Sequence, residues 1–457
     1  MPTKVVLGLQ WGDEGKGKVV DNLVHNWANV CVRYQGGPNA GHTIYNELGK
    51  KFVTHALPSG VLKHDCLNII AKGCVVNPLS LKEEIENLNI DINNLKISDQ
   101  CPLILPHHII NDKLKYYEKI GTTSKGIGPA YSEYIARNNK TIFDLCYNFE
   151  DVKAYAFSKF VEQRFENNYT SETLNNVLKA FIAENNYDTP SLDLSYDAYT
   201  FKFFNEEYFP KLKELSLFYK NMICNTDNLL QELYSNNKNI ILEGAQGWGL
   251  DIWGRSYPNV TSSCTNIGGV LTYTGLNHKQ IDEVIGVVKA YKSVVGTGLF
   301  NTELFIKKDN ENILRENLNE FGSTTGRPRR LGWLDLDEVK NACIQNGVDR
   351  IVITRIDSLK YFNYIEDNNY NKTNKSHQFD VGGYLNNNNS NFLNGFYVKK
   401  NLDLCLYKQF TYNESKEDIL DDLLNDNNLK FFLNDLKEFL NVNVSFSYGK
   451  KRNELNW

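Results

Sequence analysis

Apolar residues along the chain fall into two alternating patterns. The run Lys4-Val-Val-Leu-Gly-Leu-Gln10 is apolar and β-branched at its start, which predicts a buried strand. Val19, Val20, Leu23, Val24 and Trp27 then recur at helical spacing. A second strand is predicted at Val30 to Tyr34. Similar short runs return at Leu67 to Ala71, Asn239 to Leu242, Val284 to Tyr291 and Arg350 to Thr354. Helical spacing fills the intervals, for example Ser80 to Leu88 and Leu336 to Gln345. Strands alternating with helices predict an α/β fold with a large, mostly parallel central sheet flanked by helices. Residues 149–238 read as a mostly helical insertion, and residues 360–400 as a polar, Asn-rich variable segment. No internal repeat or linker interrupts the pattern, so residues 1–457 are expected to form one large domain with helical and loop insertions.

Composition narrows the classes. The chain is 41% hydrophobic and 23% charged, the proportions of a globular protein with a large core. A net charge of −5 gives no basis for nucleic acid or an anionic membrane as the main partner. No apolar run reaches the ~20 residues of a membrane helix, and Met1 to Leu9 leads into a strand without a signal-peptide layout. Nine scattered cysteines without CxxC spacing fit a reduced, cytoplasmic chain and argue against a disulfide framework or a zinc site.

The chemistry concentrates in two glycine-rich loops. Gly12-Asp-Glu-Gly-Lys-Gly-Lys18 fits the first seven positions of G-x-x-x-x-G-K, with Val19 in place of the Ser or Thr that holds Mg²⁺. Its glycines let backbone N–H groups turn toward an anion, the following helix N-terminus favours negative charge, and Lys16 and Lys18 add positive charge. Asp13 is the nearest carboxylate for a magnesium ion; the competing reading is that Asp13 only caps the helix. The second loop, Gly36-Gly-Pro-Asn-Ala-Gly-His-Thr43, sets Asn39, His42 and Thr43 on flexible backbone. His42 suits a general acid, although a lone turn histidine is as a rule just satisfied locally.

Gln10 to Lys18 followed by Gln35 to Thr43 closely resembles adenylosuccinate synthetase. The resemblance continues, in family order, through Gly121–Tyr131, Glu243–Gly247, Tyr257–Cys264, Thr302–Leu304, Ser323–Arg330, Gly332–Asp335, Thr354–Asp357 and Ser447–Gly449. It implies a P-loop-NTPase-like α/β fold and a GTP-dependent ligase that joins IMP to L-aspartate through a 6-phosphoryl-IMP intermediate. By resemblance Asp13 is the base that removes the N1 proton of the purine and a ligand of one Mg²⁺ ion, with the Gly41 carbonyl as a further ligand. His42 is the acid that stabilises charge during phosphoryl transfer, and Gln246 lies near O6.

The same resemblance implies the binding sets. IMP falls to Asp13, Glu14, Gly15, Lys16, Asn39, Ala40, Gly41, His42, Thr123, Gln246, Thr261 and Arg327, with Arg137 reaching into the neighbouring subunit's site of a homodimer. L-aspartate falls to Ser323, Thr324, Thr325, Gly326, Arg327, Pro328 and Arg329, where arginine forks suit carboxylates. GTP falls to Gly12 through Lys18, including Gly17, then Gly41, His42, Thr43 and Arg329, and the base to Arg355, Ile356 and Asp357 closed by Ser447, Tyr448 and Gly449. Asp357 suits guanine because a carboxylate accepts from both N1–H and the 2-amino group, and adenine offers neither donor.

Lys125, Arg355, Leu299 and Asn301 depart from the family pattern, the first two by exchanging Lys and Arg and the last two by replacing prolines around Phe300. A GTP-binding switch protein is the alternative in another class, but it has no use for the His42 loop, the Thr324–Arg329 loop or Arg137. A catalytically dead relative is a further alternative, opposed by the intact Asp13 and His42.

Overall fold

The structure is a computed structural model that describes residues 3–166, 171–185, 187–188, 200–296, 298, 300–304, 308–322, 326–364, 395–401, 403–408, 410, 412 and 419–457. Its strands in chain order are β1 (Thr3–Gly8), β2 (Val30–Gly36), β3 (His42–Tyr45), β4 (Lys51–Thr54), β5 (Leu67–Cys74) and β6 (Leu95–Ser98). There follow β7 (Ile223–Cys224), β8 (Ile240–Glu243), β9 (Glu283–Lys289), β10 (Lys292–Val294), β11 (Arg330–Gly332) and β12 (Leu334–Asp335). The last are β13 (Arg350–Thr354), β14 (Gly395–Lys400), β15 (Asp403–Lys408), β16 (Asn443–Ser447) and β17 (Leu455–Asn456).

Ten of these strands form one sheet in the order β17-β16-β13-β9-β1-β8-β2-β5-β6-β7. Every pairing is parallel except β16 with β17. Parallel strands covered on both faces need near-continuous apolar sequence. The core accordingly takes Val5, Val6 and Leu7 from β1, Ile240, Ile241 and Leu242 from β8, and Ile351, Val352 and Ile353 from β13.

Helix α1 (Lys16–Asn26) lies on one face of this sheet. Its Val19, Val20, Leu23 and Val24 pack with Val6, Ile241, Ile285, Val287 and Val352. Each such side chain contributes about 1.5–3 kcal/mol by leaving water. The residue at the Ser/Thr position of the phosphate-loop pattern, Val19, is thus a fully buried core residue. Within 149–238 lie the helices Phe149–Glu166, Ser171–Glu184, Phe209–Tyr219 and Thr226–Ser235. The first three add Phe160, Phe181 and Leu212, among others, to a second core against β5 and β6. Most of the Asn-rich 360–400 segment lies outside the described residues.

The order of the sheet positions the site. From β1 the chain moves to β2 and outward through β5, β6 and β7. It returns to insert β8 between β1 and β2, then crosses to β9 on the other side of β1. Loops leaving the carboxyl ends on either side of such a reversal part and leave a crevice between them, the usual ligand position in a doubly wound sheet.

The C-terminal segment is tied to α1 by charge. Arg452 Nε donates to Asp21 Oδ2 at 2.6 Å and Nη2 to Oδ1 at 3.2 Å, with Asp21 fully buried. Breaking such a pair on one side costs about 3–5 kcal/mol because a charge stays buried without its partner. Arg452→Met is therefore expected to lower the melting temperature clearly, and adding Asp21→Leu to restore part of it. Equal melting temperatures for parent and Arg452→Met would show that the pair carries no stability.

Candidate active site

The first glycine loop is organised by its own glutamate. Glu14, fully buried, accepts from the backbone N–H groups of Gln10 (3.2 Å) and Gly12 (2.8 Å) and from Lys16 Nζ at 2.5 Å. Gly12, Asp13 and Gly15 all have positive φ, so the chain coils tightly before α1. The N-cap is Gly15 with no side-chain cap, which removes the reading of Asp13 as a helix cap. Lys18 Nζ, largely buried, donates to the carbonyls of Tyr448 (2.7 Å) and Glu454 (2.8 Å) and more weakly to that of Gly449 (3.4 Å). Burial pushes its pKa down to about 8. Both lysines hold protein oxygens.

Asp13 leaves the coil half-exposed and pairs with Arg329 Nη2 at 2.8 Å. The other end of that guanidinium, Nη1, donates to Glu320 Oε2 at 2.7 Å. Glu320 is fully buried and also accepts from Lys289 Nζ (2.8 Å) and Tyr291 OH (2.6 Å). Burial works to raise its pKa, but Lys289 and Arg329 outweigh that and hold it at about 2.

His42 opens β3 and rests against the first turn of α1, where a Cβ on Gly17 would come within 2.9 Å of the His42 Cβ. Its Nδ1 is hydrogen-bonded to Glu243 at the end of β8. Glu243 also accepts from Ser59 N (2.7 Å) and Ser59 Oγ (2.6 Å), and Arg33 Nη1 stands 3.7 Å away. Burial draws the imidazole below its ordinary pKa range, against the opposing pull of Glu243. Burial likewise raises the Glu243 carboxyl, yet His42, Arg33 and Ser59 together bring it down to about 2. The ionised carboxylate accepts a hydrogen bond from Nδ1–H, which leaves Nε2 for a ligand.

The second loop and its neighbours converge from four elements. Gln246, at positive φ after β8, donates from Nε2 to Asn39 Oδ1 at 3.4 Å. A Cβ on Gly37 would meet Ile127, and one on Gly128 would approach Ser262 Oγ, so the segments holding Ala40, Gly41, Thr123 and Thr261 are close neighbours. Arg327 Nη1 donates to the Gly121 carbonyl at 2.9 Å and its guanidinium covers the Tyr117 ring. The turn bearing it is closed by Gly322 N–H to the Arg327 carbonyl and Gly326 N–H to the Gly322 carbonyl, both 2.8 Å, with Pro328 bridged to Phe321. Ser323, Thr324, Thr325 and Leu299 lie outside the described residues.

On the other side of β1, Thr354 Oγ1 at the end of β13 donates to the Glu14 carbonyl at 2.6 Å. Arg355, at positive φ, donates to the Leu318 carbonyl at 2.5 Å, and buried Ile356 opens the turn that carries Asp357. Ser447 Oγ donates to the Glu454 carbonyl (3.1 Å), and Tyr448 and Gly449 give their carbonyls to Lys18. Thr43 sits on β3 opposite Val53. Arg137 is not in this group; it is exposed beyond the far end of the helix Ile127–Ile135. Lys125 and Asn301 are also exposed.

Phosphate-loop geometry at the reversal of a parallel sheet, opposite a strand-end carboxylate, defines a nucleotide-binding α/β enzyme. A sequence profile of the adenylosuccinate synthetase family matches residues 5–455. The chain belongs to that family. It is 41% identical over 366 residues to the adenylosuccinate synthetase of Halothermothrix orenii, covering 79% of this chain and 78% of that one. It is 42% identical over 365 residues to that of Caldicellulosiruptor bescii, covering 78% of each. The fully ligated adenylosuccinate synthetase of Plasmodium falciparum superposes with TM-score 0.73 at 27% identity, covering 100% of this chain and 99% of that one. A cyanophage succinoaminodeoxyadenylate synthetase shares the fold, with TM-score 0.58 at 15% identity. The family is a C–N-bond-forming ligase that uses GTP to convert IMP and aspartate to adenylosuccinate in AMP biosynthesis, and it uses a metal ion.

The sequence reading left Glu243, Arg33, Ser59, Glu320 and Lys289 without roles. For Arg33, Glu243 and Lys289 the signal is a charged residue inside or at the end of an apolar strand run, whereas Ser59 and Glu320 lie outside strands and carry no such signal. Such a residue must be paired once the strand is buried, but the partner is not written nearby. Glu243→Gln is expected to lower the His42 pKa further, because it removes the charge that favours imidazolium. An NMR titration of the His42 ring showing no change, or an upward shift, would contradict this pairing.

Proposed function

We propose that Asp13 and His42 divide the proton work of the family reaction from opposite sides of one crevice. Three buried polar atoms have no hydrogen-bond partner among the described residues there: Gln246 Oε1, Arg329 Nε and Asp357 Oδ1. An orphaned buried acceptor or donor costs about 1–3 kcal/mol, and a ligand in the crevice relieves all three. This observation carries the reading. Asp13 removes the N1 proton of IMP, and O6 attacks the γ-phosphorus of GTP as the bond to the β,γ-bridging oxygen breaks and GDP leaves. Gln246 orients the base, and His42, in the imidazolium form that the Glu243 carboxylate favours, donates from Nε2–H to the charge that develops on the transferred phosphoryl oxygens. The amine of L-aspartate then displaces phosphate from C6 of 6-phosphoryl-IMP.

Asn39, Thr123, Thr261 and Arg327 hold IMP. The loop from residue 323 to Arg329 takes the carboxylates of aspartate, for which the free Arg329 Nε is a donor in place. Asp357 reads guanine with an oxygen that already lacks a partner. Mg²⁺ suits the donors here, because the Asp13 carboxylate and the Gly41 carbonyl are hard oxygen ligands. The ion supplies charge neutralisation on the phosphates when bound. Arg329 must then yield its hold on Asp13, and Glu320 keeps the guanidinium in place when it does.

Arg137 completes the IMP site of a second subunit in a homodimer. Its exposure supports this, as do the exposed Ile135, Phe143 and Tyr147 close to it in the chain. The nine free cysteines support a reducing, cytoplasmic setting.

An ultraviolet assay with IMP, L-aspartate, GTP and Mg²⁺, run beside an ATP substitution, tests the nucleotide choice. Phosphate release that needs both IMP and aspartate and fails with ATP is expected; phosphate release indifferent to both would support the GTPase alternative. Asp13→Asn is expected to cut turnover by at least about 10³-fold with an unchanged melting temperature, and substantial residual activity would remove Asp13 from the base role. Arg137→Leu is expected to raise the KM for IMP. Mixing it with Asp13→Asn should restore activity through hybrid dimers, and a lack of rescue despite proven subunit exchange would count against the shared site.

A further inference from the structure

The helix Ile127–Ile135 connects two parts of the substrate machinery. Just before it runs the Gly121–Lys125 segment with Thr123, and two residues past its end stands Arg137. Near its end, three donors from two other helices converge on one oxygen. Glu133 Oε2 accepts from His107 Nε2 at 3.1 Å, His108 Nε2 at 2.9 Å and Tyr155 OH at 2.5 Å. His107 and His108 belong to the helix Pro106–Asn111 and are essentially buried, with ring centroids 3.9 Å apart. Tyr155 belongs to the helix Phe149–Glu166.

Two imidazoles and a carboxylate within reach of one another are also a metal-ligand set. The proton positions decide against that use. The Leu105 N–H donates to His108 Nδ1 at 2.9 Å, so the proton of a neutral His108 is on Nε2 and points at Glu133. The cluster is a hydrogen-bond hub with an ionised carboxylate at its centre. Burial would raise the Glu133 pKa, but the imidazole hydrogen bonds outweigh it and hold the carboxyl well below its usual range. Burial, aided by the neighbouring His107, pushes His108 down to about 3 and keeps it neutral.

The hub is continuous with the turn that carries Arg137. The backbone carbonyl of Glu133 accepts from Asn138 N–H at 2.9 Å and Asn139 N–H at 3.3 Å. Asn139 Nδ2 in turn donates to the carbonyls of Leu103 (3.0 Å) and Ala130 (3.1 Å). Between these anchors Arg137 adopts a left-handed conformation, with its N–H bonded to the Tyr134 carbonyl at 2.9 Å. A non-glycine residue keeps that conformation only where its surroundings over-determine it. An exposed arginine on a flexible turn would sample many directions, whereas this one stands on a backbone anchored at Glu133 and Asn139.

We propose that Glu133 is a positioning residue that aims Arg137 at the IMP site of a second copy of this chain. The proposal rests on the reading of Arg137 as a residue donated across a dimer. Glu133→Gln keeps the shape of the side chain but turns an amide toward donors, which frees the turn. Small misplacements of a binding group are enough to cost binding. A merely stabilising hub would act inside its own subunit, whereas a positioning hub acts on the partner's site. The test uses that difference.

Glu133→Gln is expected to raise the KM for IMP about ten-fold while the KM for GTP stays unchanged. In hybrid dimers of Glu133→Gln with Asp13→Asn, the one live site receives Arg137 from an intact arm, so its KM for IMP should return to the parent value. In hybrids of the parent chain with the double variant Asp13→Asn/Glu133→Gln, the live site receives the loosened arm and its KM should rise. If the first hybrid keeps the raised KM while Arg137→Leu with Asp13→Asn is rescued, Glu133 acts within its own subunit and the proposal is overturned, with the shared site intact. If the Arg137→Leu hybrid is not rescued either, the shared site fails and the proposal fails with it. Should Glu133→Gln not fold, Tyr155→Phe removes one donor, keeps the ring, and is expected to show the same pattern with a smaller shift.

Discussion

The site depends on one buried carboxylate. Glu14 sits at zero exposure between β1, β8 and the start of α1, and gathers two backbone N–H groups and an ammonium onto its two oxygens. Its space comes from glycine on both sides. A Cβ on Gly8 would lie 2.4 Å from Glu14 Oε2, and one on Gly247 would lie 2.4 Å from Oε1 and from the Gln10 carbonyl. The carboxylate therefore demands the glycines, the glycines let the β8 loop close on the phosphate loop, and that closure holds Gln246 over the crevice. A buried charge is tolerated only when paired and hydrogen-bonded throughout. The coil of the loop follows from satisfying this one.

The same device recurs twice. Glu243 fixes His42 with help from Arg33 and Ser59, and Glu320 fixes Arg329 with help from Lys289 and Tyr291. Each of the three glutamates is fully buried and fixes a residue of the candidate site: Lys16, His42 or Arg329. Stability is a poor explanation for so many buried charges, since apolar replacements of buried ion pairs are often as stable. Preorganisation explains them better. Donors and acceptors fixed before the substrates arrive need no reorganisation when charge develops.

Much of this was legible in the chain. The strands β1, β2, β8, β9 and β13 each announced themselves as short β-branched apolar runs, because a parallel strand buried on both faces has little room for polar residues. The two glycine loops were legible for a related reason: left-handed turns and close backbone approach select glycine locally. The assignments to Lys16 and Lys18 were less complete. Position and type marked them as phosphate cations, yet their ammonium groups meet Glu14 and the carbonyls near residues 448–454. The second of these lies more than 400 residues away along the chain, and no local pattern encodes it.

The sequence by itself thus determined the fold class and the two glycine loops, since hydrophobic periodicity and turn stereochemistry act over a few residues. Only the tertiary structure decided which charges meet. Glu243 faces His42 because β8 is inserted beside β2, whose following loop leads to His42, and Glu320 meets Lys289 at the end of β9 as well as Arg329 across its own turn, whereas Arg137 stands exposed past the end of its helix. Electrostatic pairing falls off with distance in space and is indifferent to separation along the chain. It becomes visible only once the crossover connections have folded.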